Sequence, residues 1–218
     1  IIIAIPSATT DRKRELYDFY KKSGLKVKTY DYPTMHTAGA KPQLREFDIE
    51  DLLFRQQINM RDEKTNAYYR NKVVLITGGG GSIGSELCRQ IANHKPAQLI
   101  IVDIYENSAY DIQQELLTNH PELNLVVLIA SVRNTNRINW IFEHYKPDIV
   151  YHAAAHKHVP LMETSPNEAI KNNVIGTYKT ACAALKYGAK KFVLISTDKA
   201  VNPTNIMGAS KRLCEMVI

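Results

Sequence analysis

From residue 71 onward the chain alternates between two kinds of hydrophobic pattern. Short apolar runs stand at 73–76, 99–102, 125–129, 148–152 and 192–195. They are continuously apolar rather than alternating, as expected for parallel strands covered on both faces. Stretches with helical spacing lie among them, near 82–94, 106–119, 134–145, 166–188 and 205–217. In the fourth, Ile170, Val174, Thr177, Ala181 and Leu185 recur at steps of three and four, which predicts one buried stripe. This alternation predicts an α/β fold: a doubly wound parallel sheet with right-handed crossovers. Ligands of such sheets bind in the crevice beyond the carboxyl ends of the strands, so the residues just past each run are the ones to inspect.

The first 70 residues are less regular. Residues 1–30 read strand, helix, strand: Ile1 to Ile5, a helix capped by Thr10 or Asp11 and running to about Lys22, a stop at Gly24, then Leu25 to Tyr30. Proline and glycine turns follow, then Ile49-Glu50-Asp51-Leu52-Leu53 and a polar, charged stretch. We expect a domain boundary near residue 70, with the regular domain over 71–218. Residue 1 opens a strand-like run and Ile218 stands inside a helical pattern, so a longer protein is expected.

Composition narrows the class. With 44% hydrophobic and 23% charged residues the chain is globular. The net charge of +6 is spread evenly: 13 Lys/Arg against 10 Asp/Glu over residues 1–70, and 15 against 12 beyond. No basic stripe emerges, so nucleic acid is not an expected partner. Cys88, Cys182 and Cys214 form no metal or C-x-x-C spacing, which points to a reduced compartment, the cytoplasm. No apolar stretch reaches membrane-spanning length, and no signal peptide is expected from this stretch.

The candidate chemistry begins directly after the first run of the regular part. Residues 77–84 read Thr-Gly-Gly-Gly-Gly-Ser-Ile-Gly, the register T-G-x-x-G-x-x-G on Thr77, Gly78, Gly81 and Gly84. Gly78 allows a tight turn, Gly81 lets the backbone approach phosphates, and Gly84 lets the helix pack close to the strand. The helix N-terminus at Ser82 and Ile83 offers N–H groups and a positive dipole end to a pyrophosphate. The second run ends in Asp103, nineteen residues after Gly84. A carboxylate there would accept both ribose hydroxyls and repel a 2′-phosphate, so the expected cofactor is NAD rather than NADP. The plainer alternative for Asp103 is a helix cap or surface acid.

Other strand ends add candidates. Ser131 and Val132 follow the third strand and are placed against adenine. Ala153 and Ala154 follow the fourth, where small side chains let the nicotinamide half approach the backbone. His156, Lys157 and His158 come next; a packing loop, a metal site or an anion contact each accommodates them, and the missing carboxylate or Cys partners disfavour metal. Ser196-Thr197-Asp198-Lys199 follows the fifth strand, and Met207 and Lys211 share one helix face. The first group supplies a hydroxyl, a carboxylate and an amine; its plainer reading is a helix-entry turn capped by Asp198.

The glycine register, the acid at 103 and the helical x-x-x-Lys ending at Lys211 resemble extended short-chain dehydrogenases/reductases. More narrowly, residues 152–160 (His-Ala-Ala-Ala-His-Lys-His-Val-Pro) and 196–212 resemble the CapD-type polysaccharide biosynthesis proteins, nucleotide-sugar 4,6-dehydratases acting on UDP-N-acetylglucosamine. The resemblance is strong over 71–218, an NAD-binding Rossmann domain that stops before the sugar-binding part. It is looser over 1–70, the end of a smaller Rossmann-like domain that follows membrane helices in long forms. It implies a UDP-sugar substrate, a homo-oligomer, and a place on the inner face of the cell membrane.

The same resemblance implies roles. Lys199 removes the sugar C5 proton, Asp198 protonates the departing C6 hydroxyl, Thr197 holds the 4-hydroxyl, and Lys211 anchors the nicotinamide ribose. Lys157, His158, Asn173 and Met207 belong to the substrate set. Most of the superfamily has tyrosine where this chain has Met207, and a thioether cannot exchange protons. These roles require Lys199 to be neutral for part of the cycle through burial near Lys211, and Asp198 to be protonated through burial. An epimerase of the same fold and a non-catalytic NAD sensor are the competing readings.

Overall fold

The computed structural model describes residues 1–5, 8–31, 43–46 and 63–218. The chain divides into two compact units, Ile1–Met60 and Arg61–Ile218. The run at 49–53 lies outside the described residues.

In the first unit, β1 (Ile2–Ile3) pairs parallel with β2 (Lys28–Asp31), and β3 (Gln43–Glu46) pairs antiparallel with β2. Between β1 and β2 runs α1 (Thr10–Lys21). Its cap is Thr9, one residue earlier than expected, whose hydroxyl accepts from the Arg12 N–H at 3.4 Å. Gly24 ends the helical segment with φ +74°, a left-handed conformation that suits glycine. The antiparallel β3 was not foreseen.

The second unit opens with α2 (Glu63–Tyr69), whose Tyr69 stacks on His94 and shares a hydrogen bond with the Tyr151 hydroxyl. Five parallel strands follow: β4 (Val73–Thr77), β5 (Gln98–Asp103), β6 (Leu125–Ile129), β7 (Ile149–His152) and β8 (Lys191–Leu194), in the order β6-β5-β4-β7-β8. The order reverses across β4, which opens the ligand crevice between the ends of β4 and β7.

Alternate strand residues face opposite layers. Val74, Ile76, Leu99 and Ile101 pack with Cys88, Ile91, Ile112 and Leu116 from α3 (Ser82–Asn93) and α4 (Glu106–Asn119). Leu75, Ile100, Val102 and Val150 pack with Ile138, Ile141 and Phe142 from α5 (Thr135–Tyr145). Phe142 is fully buried, so truncating it to Ala should cost about 3–5 kcal/mol. Among the described residues no helix is long and apolar enough to cross a membrane.

The stretch from β7 to β8 departs from expectation. An unforeseen short helix, α6 (Val159–Thr164), comes first. The long helix then divides into α7 (Pro166–Ala169), a π-helical turn (Ile170–Ile175) and α8 (Gly176–Lys186). The expected buried stripe holds at Thr177 but not at its ends. Leu185 is 84% exposed and Ile170 is exposed, whereas Ala169, Asn173, Thr177, Thr180 and Ala184 recur at steps of three and four and point inward, so most of the buried face runs one position earlier than expected. After β8 come a 3₁₀ turn (Asp198–Ala200) and α9 (Ile206–Val217).

Candidate active site

The glycine turn is built on close approach. Gly78 has φ +70°, and a Cβ there would meet the Ala154 nitrogen at 2.6 Å. A Cβ on Gly84 would overlap the Gly78 carbonyl, so the first turn of α3 is seated directly on the turn. Gly81 is the N-cap, and no side chain caps the helix. Ser82 and Ile83 follow it at the edge of a cleft. Uncapped N–H groups with a positive dipole end suit a pyrophosphate.

Two clefts meet at this turn. The smaller, about 230 Å³, is lined by Asp103, Ser131, Val132, Ala153 and Ala154. Asp103 Oδ2 accepts from the Gly80 N–H and Oδ1 from the Tyr105 N–H, both at 2.9 Å. A carboxylate has about four acceptor sites, so two remain for a pair of ribose hydroxyls. This bare-backbone cradle and its free carboxylate acceptors fit NAD.

The larger cleft, about 760 Å³, runs from Ser82 and Ile83 past Lys157 and His158 to Thr197, Lys199, Met207 and Lys211. Thr197 Oγ1 donates to Asp198 Oδ1 at 2.9 Å, and Lys199 Nζ donates to the same oxygen at 3.3 Å. The Thr197 hydroxyl, then the Lys199 ammonium, hold the Asp198 carboxyl below its usual range. This reverses the expectation that burial raises it: the Asp198 side chain is 86% exposed and that of Lys199 50%. Lys211, by contrast, is buried; its Nζ donates to the Ile195 carbonyl at 2.7 Å, and burial lowers its pKa. Met207 is also buried, packed with Met162 in the cleft wall.

Three expected site residues line neither cleft: Asp198, which is exposed beside Thr197 and Lys199, and Thr77 and Asn173, which are buried. Thr77 is fully buried, with Oγ1 2.7 Å from His152 Nδ1, because β4 and β7 pair in a register that sets Thr77 beside His152. Asn173 is fully buried and its amide is committed. Its Oδ1 accepts from the His156 N–H at 2.7 Å, while Nδ2 donates to the His156 carbonyl at 3.0 Å and to Ser210 Oγ at 2.9 Å. It braces the 153–158 wall against α9 instead of meeting a substrate. The histidines of that wall do not converge either: His156 and His158 are exposed, while the His152 ring is enclosed between Thr77 and Thr177.

Residues 74–218 match the family model described as polysaccharide biosynthesis protein. The chain belongs to that family. Capsular polysaccharide biosynthesis protein CapD of Staphylococcus aureus is 44% identical over all of this chain and 37% of its own length. UDP-N-acetylglucosamine 4,6-dehydratase (inverting) of Campylobacter jejuni is 37% identical over 66% of this chain and 41% of its own. The chain thus spans about two fifths of the length of these curated relatives. Among solved structures, the Bordetella bronchiseptica enzyme WbmG in complex with NAD and UDP superposes with a TM-score of 0.58 at 25% identity, over 68% of this chain and 49% of that one. Relatives of the family in this set are nucleotide-sugar dehydratases and epimerases, and solved neighbours hold NAD.

Sequence reasoning passed over two residues that shape this family's site here. Tyr105 lines both clefts. His152 joins three elements through its two ring nitrogens, and burial, then the nearby Lys211 charge, push its pKa down to about 3. The only signal for His152 was a polar residue ending an apolar strand.

Proposed function

We propose that the protein is an NAD-dependent nucleotide-sugar 4,6-dehydratase that converts UDP-N-acetylglucosamine to a UDP-4-keto-6-deoxy sugar for glycan synthesis. The observation that carries this reading is the Thr197-Asp198-Lys199 set, joined by hydrogen bonds at a cleft whose tyrosine position is Met207. Gly78, Gly81, Ser82, Ile83 and Asp103 would hold NAD, with Ser131, Val132, Ala153 and Ala154 around its two halves. Lys211 would anchor the nicotinamide ribose. When bound, NAD supplies reversible hydride acceptance.

The residues supply the protons. Thr197 donates its own proton to Asp198 and accepts from the Lys199 N–H at 3.4 Å, so one oxygen lone pair is available to the sugar 4-hydroxyl. As C4 is oxidised, the 4-hydroxyl proton passes to Thr197 and the Thr197 proton to Asp198. The low pKa of Asp198 suits it to start this step as a carboxylate. Asp198, now protonated, gives that proton to the C6 hydroxyl, which departs as water. Lys199 takes the C5 proton and later returns it to C5. To take the C5 proton Lys199 first gives one ammonium proton to water as the sugar enters, and it recovers a proton from water when the product leaves. Each residue ends as it began, and the net change is loss of one water.

An epimerase would use the same cofactor crevice, but its usual proton-exchanging tyrosine has no equivalent at Met207. Mass spectrometry of UDP-N-acetylglucosamine incubated with the intact protein and NAD tests the proposal. Loss of one water without NADH accumulation is expected. An epimerised product of unchanged mass would refute it.

A further inference from the structure

The proposed proton-handling groups and the cofactor anchor come from separate elements. Asp198 and Lys199 stand on the 3₁₀ turn, whereas Met207 and Lys211 stand on α9. The elements touch at Gly208. A Cβ there would fall on the Lys199 carbonyl oxygen, with the carbonyl carbon at 3.1 Å and Asn205 Oδ1 at 3.3 Å. Gly208 has no need of a left-handed backbone, since its φ is not positive. Its missing side chain is therefore about space.

The helix cannot readily withdraw to make room. Asn205 Oδ1 accepts from the Gly208 N–H at 2.7 Å, and Glu163 Oε1 from α6 accepts from the Ile206 N–H at 2.7 Å. Further along, Ser210 is tied to Asn173 and Lys211 to the Ile195 carbonyl. The 3₁₀ turn is held by bonds within itself: Ala200 N–H to the Thr197 carbonyl at 3.1 Å, Val201 N–H to the Asp198 carbonyl at 3.0 Å and Lys199 N–H to Thr197 Oγ1 at 3.4 Å. Added bulk at 208 would move the turn, and the turn carries Lys199.

The geometry points to Gly208 as a positioning residue: its bare Cα against the Lys199 carbonyl fixes where the C5 base stands relative to Lys211. This inference rests on the dehydratase reading. A displacement near 1 Å at a reacting group costs up to about a hundredfold in rate. Gly208→Ala in the intact protein is expected to lower kcat by about tenfold to a hundredfold. Dissociation constants for NAD should stay within about twofold, because the cradle at 78–84 and Asp103 is remote in sequence and built on other strands.

The discriminating readout is a kinetic isotope effect with UDP-N-acetylglucosamine deuterated at C5. Misplacing the base makes C5 proton removal slower than the other steps, so the effect on kcat should rise in Gly208→Ala. Gly188→Ala is the control for stability. Gly188 has φ +78° with no atom within 4 Å of a built Cβ, so it adds strain without touching the site. It should lower the melting temperature and leave kcat and the isotope effect unchanged. Asn205→Ala, which loosens the same helix start without added bulk, covers the case in which Gly208→Ala does not fold; a raised isotope effect is expected there too. An isotope effect equal to the parent's in whichever of the two folds overturns the positioning role. Failure of the parent to release water overturns the dehydratase reading and this inference with it.

Discussion

The two ends of the crevice are built in opposite ways. At the adenosine end the recognition groups are fixed: Gly78 is wedged against Ala154, and Asp103 is held by two backbone N–H groups. At the end where we place the reaction, Thr197, Asp198 and Lys199 bond mainly to one another on an open surface. Rigid backbone recognises a constant ligand at little entropic cost. Acid–base groups have to change charge, and water keeps them as ions until a substrate displaces it. The difference separates binding from chemistry along one cleft, and substitutions can test that separation.

The largest effects belong to the open end. Lys199→Ala and Asp198→Asn should each lower turnover by about 10²–10⁴-fold while NAD affinity stays near that of the parent. Thr197→Val should lose a comparable factor and Thr197→Ser should keep most activity, since only a hydroxyl can pass the proton. Steady-state assays with calorimetric NAD titration check both halves. Turnover of Thr197→Val near the parental value would remove the relay.

Gly78→Ala attacks the rigid end. A left-handed alanine costs about 1–2 kcal/mol, and the Ala154 backbone adds a clash. NAD affinity should fall by about tenfold or more, with a lower melting temperature. Retained affinity would show that the cradle is more pliant than its geometry states.

Beneath both ends lies His152. Its folded pKa of about 3 stands below the unfolded value of about 6.5. Below about pH 6.5 the unfolded chain binds a proton that the folded chain refuses, so this histidine's contribution to stability falls as pH drops toward 3. About 2 kcal/mol should be lost by pH 5. Urea midpoints of the parent should therefore drop between pH 7 and pH 5 by more than those of His152→Gln. Asp103→Asn is the mildest change. It keeps shape but removes the charge and one of the two acceptors of the Gly80 and Tyr105 N–H groups, so NAD affinity should fall by about tenfold and the preference over NADP should narrow, measured by titration of each dinucleotide.

Much of the fold was readable because apolar continuity and glycine spacing are one-dimensional signals. The five parallel strands begin and end within a residue of their runs, and the turn at 77–84 sits where its register places it. What escaped depends on orientation. Periodicity assigned Ile170 and Leu185 to the core, but the buried face runs one position earlier there, through Ala169 and Ala184. Motif position assigned Thr77 and Asn173 to ligands, but strand register and a backbone bracket turned them inward. Residue type made Asp198 an acid raised by burial; its exposure, with the adjacent Thr197 hydroxyl and Lys199 ammonium, instead holds its carboxyl below the usual range.

The pairing of β4 with β7 sets the order in which this domain can be completed during synthesis. Thr77 and His152, which meet across that pair, are 75 residues apart in the chain. β4, β5 and β6 can associate as they leave the ribosome, since each pairs with a strand from its own half. The dinucleotide cradle then has its turn but no back wall, because Ala153 and Ala154 have yet to arrive. Contacts this distant in sequence form late and slowly. Acquisition of NAD is thereby expected only once synthesis has passed β7, and a product ending before β7 lacks the back wall of the pocket.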